Sequence, residues 1–446
     1  MQDLDGGRKM APRAAAAALV AEVTGAGRLL AEVEGALLAA LEPAARARAL
    51  RLATETLRQM PRADRVLKPF LRKAPPAPVA AVLRVAVVEM AVFGAAGHGV
   101  VGEAVTTLRN DPKTEGFASL ANAVLRKAAA AVEGQKVESQ GADGRGFDGQ
   151  PVPELPGWLR GRLMSAWGKK AVQAMEAAHL AGAPLDLTPR DGDAQALAAR
   201  LGGTVIAGGS VRLAAAGQVS ALPGYDTGAW WVQDAAAALP ARLLGARPGE
   251  RVADLCAAPG GKTLQLAAAG AEVTAVDLSA ARLVRLRENL ARTGLSATVV
   301  EADALDWRPG APLDAVLLDA PCSATGTIRR HPDLPHAKGG EGIRPLAALQ
   351  AEMLDHAATL LAPGGRLVFC TCSLLPEEGE AQLAALLDRR TDLAEDPEAL
   401  DRAGLGQAGV AAQWRSGAAA LRIRPDFLAG EGGIDGFYMA CLRKTA

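Results

Sequence analysis

From Arg251 onward, apolar runs of strand length alternate with helical runs, and this alternation restricts the C-terminal half to one kind of architecture. The strand-like segments are Arg251-Val-Ala-Asp-Leu, Glu272-Val-Thr-Ala-Val-Asp, Thr298-Val-Val-Glu-Ala-Asp, Asp314-Ala-Val-Leu-Leu-Asp and Gly365-Arg-Leu-Val-Phe. Strands with helices between them pair in parallel, because each crossover helix returns the chain to the same end of the sheet. The result is a doubly wound α/β sheet, and such sheets bind ligands in the crevice at the C-terminal ends of their strands. The conspicuous motifs of this chain lie at those ends.

Upstream, the pattern is different. From Pro12 to about Glu133, apolar residues recur at three- and four-residue spacing, as at Leu50, Leu57, Val66, Leu67 and Leu71. Val79 to Met90 is apolar nearly all round, which suits the centre of an all-α bundle. Residues 134–156 are rich in Gly, Pro and polar side chains without periodicity, so they read as a linker. Trp158 to Met175 reads as a helix, and Pro184–Pro189 and Thr204–Ala207 as strands of a small α+β module. The expected organisation is a helical bundle over 1–133, a flexible linker over 134–156, a small α+β module over 157–235 and a Rossmann-like domain over 236–446. The opening Met1–Arg8 reads as a frayed terminus outside the fold.

Composition narrows the function classes. Lys plus Arg and Asp plus Glu are both 49 in 446 residues, so no global cationic field marks nucleic acid or membrane as a partner, and any such surface must be local. Aromatic residues are only 3%, which makes the core aliphatic. Five cysteines in a chain of this length form neither a disulfide framework nor a paired zinc motif, which favours a reducing, cytoplasmic setting. No apolar run reaches the roughly 18 residues of a membrane span, and a secretory signal is not expected.

After the first strand comes Asp254-Leu-Cys-Ala-Ala-Pro-Gly-Gly-Lys-Thr263, followed by a helical run. A strand, a glycine turn and a helix N-terminus bring backbone N–H groups close to a ligand. A phosphate-binding P-loop competes, but it needs Gly where Cys256 stands, and Pro259 removes a donor from the cradle. The next strand ends in Asp277, where a carboxylate can accept from ribose hydroxyls, and the third in Asp303, placed to meet an adenine edge. A single Asp there is commonly a helix cap, but successive ones beside a glycine loop point to a nucleoside ligand.

The fourth strand runs into Asp319-Ala-Pro-Cys322-Ser, and the fifth into Cys370-Thr-Cys372-Ser. In a parallel sheet both ends open onto one crevice, so Cys322 and Cys372 should face each other there. Cys256, Cys370 and Cys441 suit buried, inert roles, and Cys370-x-Cys372 lacks a second ligand pair for a metal. Two thiols at one site fit methylation of cytosine C5. That carbon is a weak nucleophile until a thiolate adds to C6, and covalent addition divides one hard step into easier ones. Asp319 can hold the pyrimidine N3/N4 edge, and a second thiol can assist loss of the C5 proton and release.

At these residues the chain resembles the RsmB family of bacterial ribosomal RNA cytosine-C5 methyltransferases. The resemblance is carried by Asp254–Thr263, by Asp319-Ala-Pro-Cys-Ser-Ala-Thr-Gly-Thr-Ile-Arg-Arg-His-Pro-Asp333 and by Thr371-Cys-Ser-Leu-Leu-Pro-Glu-Glu378. It extends to Val232-Gln-Asp-Ala-Ala-Ala and Asp435-Gly-Phe-Tyr-Met-Ala, while Asn122-Ala-Val-Leu-Arg126 resembles the NusB-like RNA-binding domain that precedes the catalytic domain in this family. The resemblance implies that Cys256, Ala257, Ala258, Pro259, Gly260, Gly261 and Lys262 wrap S-adenosylmethionine. It implies too that Asp277 holds the ribose, Asp303 the adenine, and Asp319 lies beside both cofactor and base. Cys372 would be the nucleophile and Cys322 the thiol that aids release.

Family members follow His-Pro-Asp with a basic and aromatic stretch, whereas this chain continues Leu334-Pro-His-Ala-Lys-Gly-Gly-Glu-Gly342. Arg329 and Arg330 are read as RNA phosphate contacts. The expected activity is S-adenosylmethionine-dependent methylation of cytosine C5 in small-subunit ribosomal RNA, with ribosomal RNA as partner and no metal, membrane or obligate protein partner. A tRNA cytosine-C5 methyltransferase and a non-catalytic RNA-binding antitermination factor are the alternatives.

Overall fold

The computed structural model describes residues 11–138, 147, 149–206, 208–214, 217–405 and 412–445. Met1–Arg8, and residues 139–146 and 148 of the expected linker, lie outside the described residues. The chain divides into two compact units, one comprising the chain up to Gly161 together with Arg330–Gly339, the other Arg162–Arg329 and Gly340–Ala446.

The first unit is a helical bundle of α1 (Pro12–Ala26), α2 (Leu30–Leu37), α3 (Pro43–Leu67), α4 (Ala77–Val92), α5 (Gly97–Arg109) and α6 (Ala118–Glu138). The apolar segment expected at the centre is α4, packed by α1, α3, α5 and α6. Its one acidic residue, Glu89, is buried but compensated by Arg13 and by Arg48, each with an Nη2 at 3.0 Å.

Residues 330–339 pack into this bundle. The Leu30 N–H at the start of α2 donates to Asp333 Oδ2 at 2.9 Å, the Trp158 indole N–H donates to the Pro335 carbonyl, and His336 Nε2 lies 3.2 Å from the Leu57 carbonyl oxygen. The linker is shorter than expected. Residues 134–138 continue α6, Phe147 is buried in the bundle core, and Arg62 donates to the carbonyls of Gln150 and Pro151. A buried aromatic and a two-carbonyl anchor hold Phe147, Gln150 and Pro151, in a segment whose composition alone reads as loose.

Helix α7 (Gly157–Ala181), of which Arg162–Ala181 belongs to the second unit, breaks at Gly168, where φ is 79°. The small module comes next as β1 (Leu185–Pro189), α8 (Ala194–Leu201), β2 (Thr204–Ile206), β3 (Ser210–Leu213) and β4 (Trp230–Val232), an antiparallel sheet ordered β2-β3-β1-β4. Polar contacts tie this module to the C-terminal part of the same unit. Buried Asp186 on β1 pairs with Arg212 on β3 at 2.7 and 2.8 Å, and Arg212 also donates to the carbonyls of Glu431 and Gly433.

The large sheet contains β5 (Arg251–Leu255), β6 (Glu272–Asp277), β7 (Thr298–Glu301), β8 (Leu313–Asp319), β9 (Leu361–Thr371), β10 (Leu393–Glu395), β11 (Ala420–Ile423) and β12 (Phe437–Lys444). Helices α9 (Ala235–Leu244), α10 (Gly261–Ala268), α11 (Ala280–Thr293), α12 (Ile343–Thr359) and α13 (Glu380–Arg389) accompany it. The order is β10-β12-β9-β8-β5-β6-β7, with β11 also on β12; β7-β6-β5-β8-β9 run parallel and β12 antiparallel to β9. Both faces are buried. On β8, Ala315 and Leu317 pack on the side of α9, while Val316 and Leu318 pack on the side of α12. That explains why its sequence is a continuous apolar run. The strand order reverses between β5 and β8, which opens a crevice at their C-terminal ends.

Candidate active site

The loop after β5 turns through Cys256 (φ 62°) and Gly260 (φ 104°) before α10 starts at Gly261. At Gly260 a side chain is excluded twice, by the left-handed backbone and by Leu286 Cγ, 3.0 Å from where a Cβ would stand. Asp277, at the end of β6, accepts the Ala258 N–H at 3.0 Å and the Ser279 N–H at 2.9 Å. Its Oδ2 also faces Arg282 Nη1 at 3.5 Å, while Oδ1 keeps a second lone pair. Ser279 caps α11, so the helix-cap function and the strand-end carboxylate sit on neighbouring residues. Asp303 lies just beyond β7, half-buried, with one oxygen accepting the Leu305 N–H at 2.9 Å.

Asp319 ends β8, directly opposite Cys370 in the ladder. Lys262 Nζ donates to its Oδ2 at 2.8 Å and the Cys370 thiol to its Oδ1 at 3.5 Å. Lys262 is buried over the Phe437 ring, 5.2 Å from the centroid. Burial works against its ammonium, but Asp319 outweighs that and holds it charged. Beneath the loop, burial pushes the Asp254 carboxyl up to about 7 despite a 2.5 Å hydrogen bond from the Thr263 hydroxyl.

The Sγ atoms of Cys322 and Cys372 are 3.5 Å apart. The Cys322 thiol is pushed well above the ordinary range by its hydrogen bond to Cys372, by burial and by the nearby charges of Cys372 and Glu378. Burial and then Asp319 push Cys256 and Cys370 upward as well. Of the four sulfurs around this crevice, three are thus held as thiols.

Sequence patterns missed the frame that joins the two cysteine loops. The Gly326 N–H donates to the Cys372 carbonyl at 2.9 Å, and the Leu374 N–H to Thr325 Oγ1 at 2.9 Å. Ser323 and Ser373, one after each cysteine, both donate to buried Glu378. The only signal was the repeated Cys-Ser pair and a glutamate at the end of the Thr371–Glu378 motif.

Arg329 departs from its expected role. It is fully buried, with its guanidinium on Asp234 (2.5 Å), Asp435 and the Gly432 carbonyl (3.0 Å), so it braces the fold and presents nothing to a phosphate. Arg330, half-buried, belongs to the segment packed into the helical unit. Among the described residues, no group of three or more His, Cys, Asp or Glu could hold a metal ion, and no helix is long and apolar enough to cross a membrane.

S-adenosylmethionine fits the side chains present. Asp277, Asp303 and Asp319 supply acceptors for hydroxyl, amino and ammonium groups, and residues 256–261 offer a strip of backbone with small side chains. A reversing parallel sheet with that loop and those carboxylates defines a Rossmann-like methyltransferase. Residues 241–443 match the family model for 16S rRNA methyltransferase RsmB/F, and residues 10–130 that of the NusB family. The ribosomal RNA small subunit methyltransferase B of Pseudomonas putida is 37% identical over 98% of this chain and 99% of its own, and that of Xanthomonas campestris 36% over 98% of each. The crystal structure of PH0851 superposes with a TM-score of 0.71 at 22% identity, covering 97% of this chain and 99% of that one. The crystal structure of a methyltransferase homolog from Pyrococcus horikoshii gives 0.52 at 28% identity over 64% of this chain and 94% of that one. This chain belongs to the RsmB/F family of 16S rRNA methyltransferases.

Proposed function

We propose that the protein methylates C5 of a cytosine in small-subunit (16S) ribosomal RNA through a covalent adduct on Cys372. The observation that carries this reading is the 3.5 Å separation of Cys322, three residues past the end of β8 at Asp319, and Cys372, which directly follows the adjacent parallel strand β9. In this reading the Cys372 sulfur adds to C6, forming an S–C6 bond and moving electron density to C5. Asp319 accepts from the exocyclic amine and orients the ring. S-adenosylmethionine, when bound, supplies the methyl group that C5 takes. Loss of the C5 proton to water restores the ring and breaks the S–C6 bond, and Cys322 aids release by handing its proton to the departing Cys372 sulfur. The target base must be unstacked, because the thiol and the methyl donor both need access to the C5–C6 bond.

Residues 256–262, Asp277 and Asp303 hold the cofactor, Arg330 contacts RNA phosphate, and the helical bundle positions the RNA. Ribosomal RNA is the macromolecular partner, the reaction is cytoplasmic, and no further protein is required. The test is transfer of label from S-adenosylmethionine to undermethylated 16S rRNA, with 5-methylcytosine mapped by sequencing. Cys372→Ala should give neither label nor adduct, whereas Cys322→Ala should accumulate a covalent protein–RNA adduct. An adduct in Cys372→Ala would overturn the assignment.

A further inference from the structure

Cys322 and Cys372 occupy their places for different reasons. Cys372 directly follows β9, an eleven-residue strand laddered to β8 on one edge and β12 on the other. Cys322 has no strand beneath it, since β8 ends at Asp319. Beside the Gly326 and Thr325 bonds to the Cys372 loop, its segment is held by one carboxylate. Glu378, fully buried on the short turn Pro376–Glu378, accepts the Ser323 N–H at 2.9 Å and the Ser323 hydroxyl at 2.5 Å. Gln350 on α12 donates to Glu378 at 3.2 Å and to the Pro321 carbonyl at 2.8 Å, so the residues on both sides of Cys322 converge on this group. The Ser373 hydroxyl, next to Cys372, reaches the same carboxylate at 2.6 Å. A carboxylate without water is costly unless its lone pairs are filled, and here they are filled by the two cysteine loops and the glutamine that braces one of them.

We infer that Glu378 is a positioning residue for the release step: it sets Cys322 at the distance from Cys372 at which the second thiol can hand its proton to the Cys372 sulfur as the S–C6 bond breaks, the C5 proton passing to water. This rests on the cysteine roles proposed above. Its charge acts in the same direction, since after the Cys372 hydrogen bond, burial and the Cys372 charge, it too favours the protonated form of Cys322. Cys372 keeps its strand-defined position without Glu378, so attack on C6 should survive a substitution that release does not.

The experiment compares wild type, Glu378→Gln, Ser323→Ala and Cys322→Ala with undermethylated 16S rRNA and S-adenosylmethionine, measuring multiple-turnover methylation and the protein–RNA adduct that survives denaturation. Glu378→Gln should lose turnover roughly ten- to hundredfold, the size expected of a misplaced reacting group, while its adduct fraction rises toward that of Cys322→Ala. Ser323→Ala should move both readouts the same way by less, and it carries the test if Glu378→Gln does not fold. A purely structural role would lower turnover and adduct together; that result, or unchanged turnover, with adduct still present in Cys322→Ala, overturns the inference alone. No adduct in Cys322→Ala overturns the role of Cys322, and the inference with it.

Discussion

Arg329 Nη2 donates to Asp234 Oδ2 over 2.5 Å, joining residues 95 apart in the chain inside a region closed to solvent. Asp234 caps α9, and its other oxygen accepts the Asp435 N–H at 3.2 Å, so one guanidinium ties the start of α9 to the loop before β12. Removing one partner of a buried pair leaves the others uncompensated. Arg329→Met should therefore lower stability by about 3–5 kcal/mol, read from chemical denaturation. A normal unfolding curve with a weakened salt dependence of RNA binding would instead restore the phosphate contact expected from sequence.

Asp254 should make stability pH-dependent in a defined direction. Its carboxyl is raised in the folded chain to about 7, so its contribution is full below the unfolded value near 4 and is lost as pH rises through about 7. Asp254→Asn keeps an acceptor for Thr263 and removes the ionisation. Its stability relative to wild type should rise between pH 5 and 8, by on the order of a few kcal/mol at the upper end. A difference independent of pH, in melts across that range, would show that Asp254 does not titrate there.

Gly326 has no room for a methyl group, because its Cβ would stand 2.0 Å from the Gly436 carbonyl oxygen. Its N–H holds the Cys372 carbonyl and its own carbonyl accepts the Gly436 N–H at 2.8 Å. Gly326→Ala should cost about 1–3 kcal/mol through the forced backbone shift and should depress methyl transfer at least tenfold. Wild-type rates with an unchanged melting temperature would mean that the loops can separate freely.

Asp333 belongs to the helical unit in structure, although its motif is read with the catalytic domain in sequence. Asp333→Ala removes the acceptor of the Leu30 N–H and should destabilise that unit by about 1 kcal/mol, the usual size of a lost helix cap. Hydrogen exchange should show earlier opening of α2, with exchange at β5 and β8 unchanged.

The five parallel strands of the large sheet were legible because a strand buried on both faces must be an apolar run, and because Asp277 and Asp319 stand where those runs stop. Residue periodicity carries no direction, so the antiparallel placement of β12 was not visible. Arg329 was misread for a related reason. An Arg-Arg pair in a polar motif looks solvated until its partners, Asp234 and Asp435, are known, and neither is near it in sequence. The linker was over-extended because composition does not register one anchoring aromatic, Phe147, or the reach of Arg62.

By itself the sequence determined the helical bundle, the parallel α/β core, the glycine loop and the pair of cysteines at successive strand ends, since each depends on local periodicity or on residues within a single motif. Only the tertiary structure decided that Cys322 and Cys372 meet at 3.5 Å, that Glu378 joins their loops, that Arg329 is enclosed and that Asp333 caps a helix in the bundle. These are encounters between distant segments, fixed by how strands register and cores close, and no single stretch of chain contains both partners.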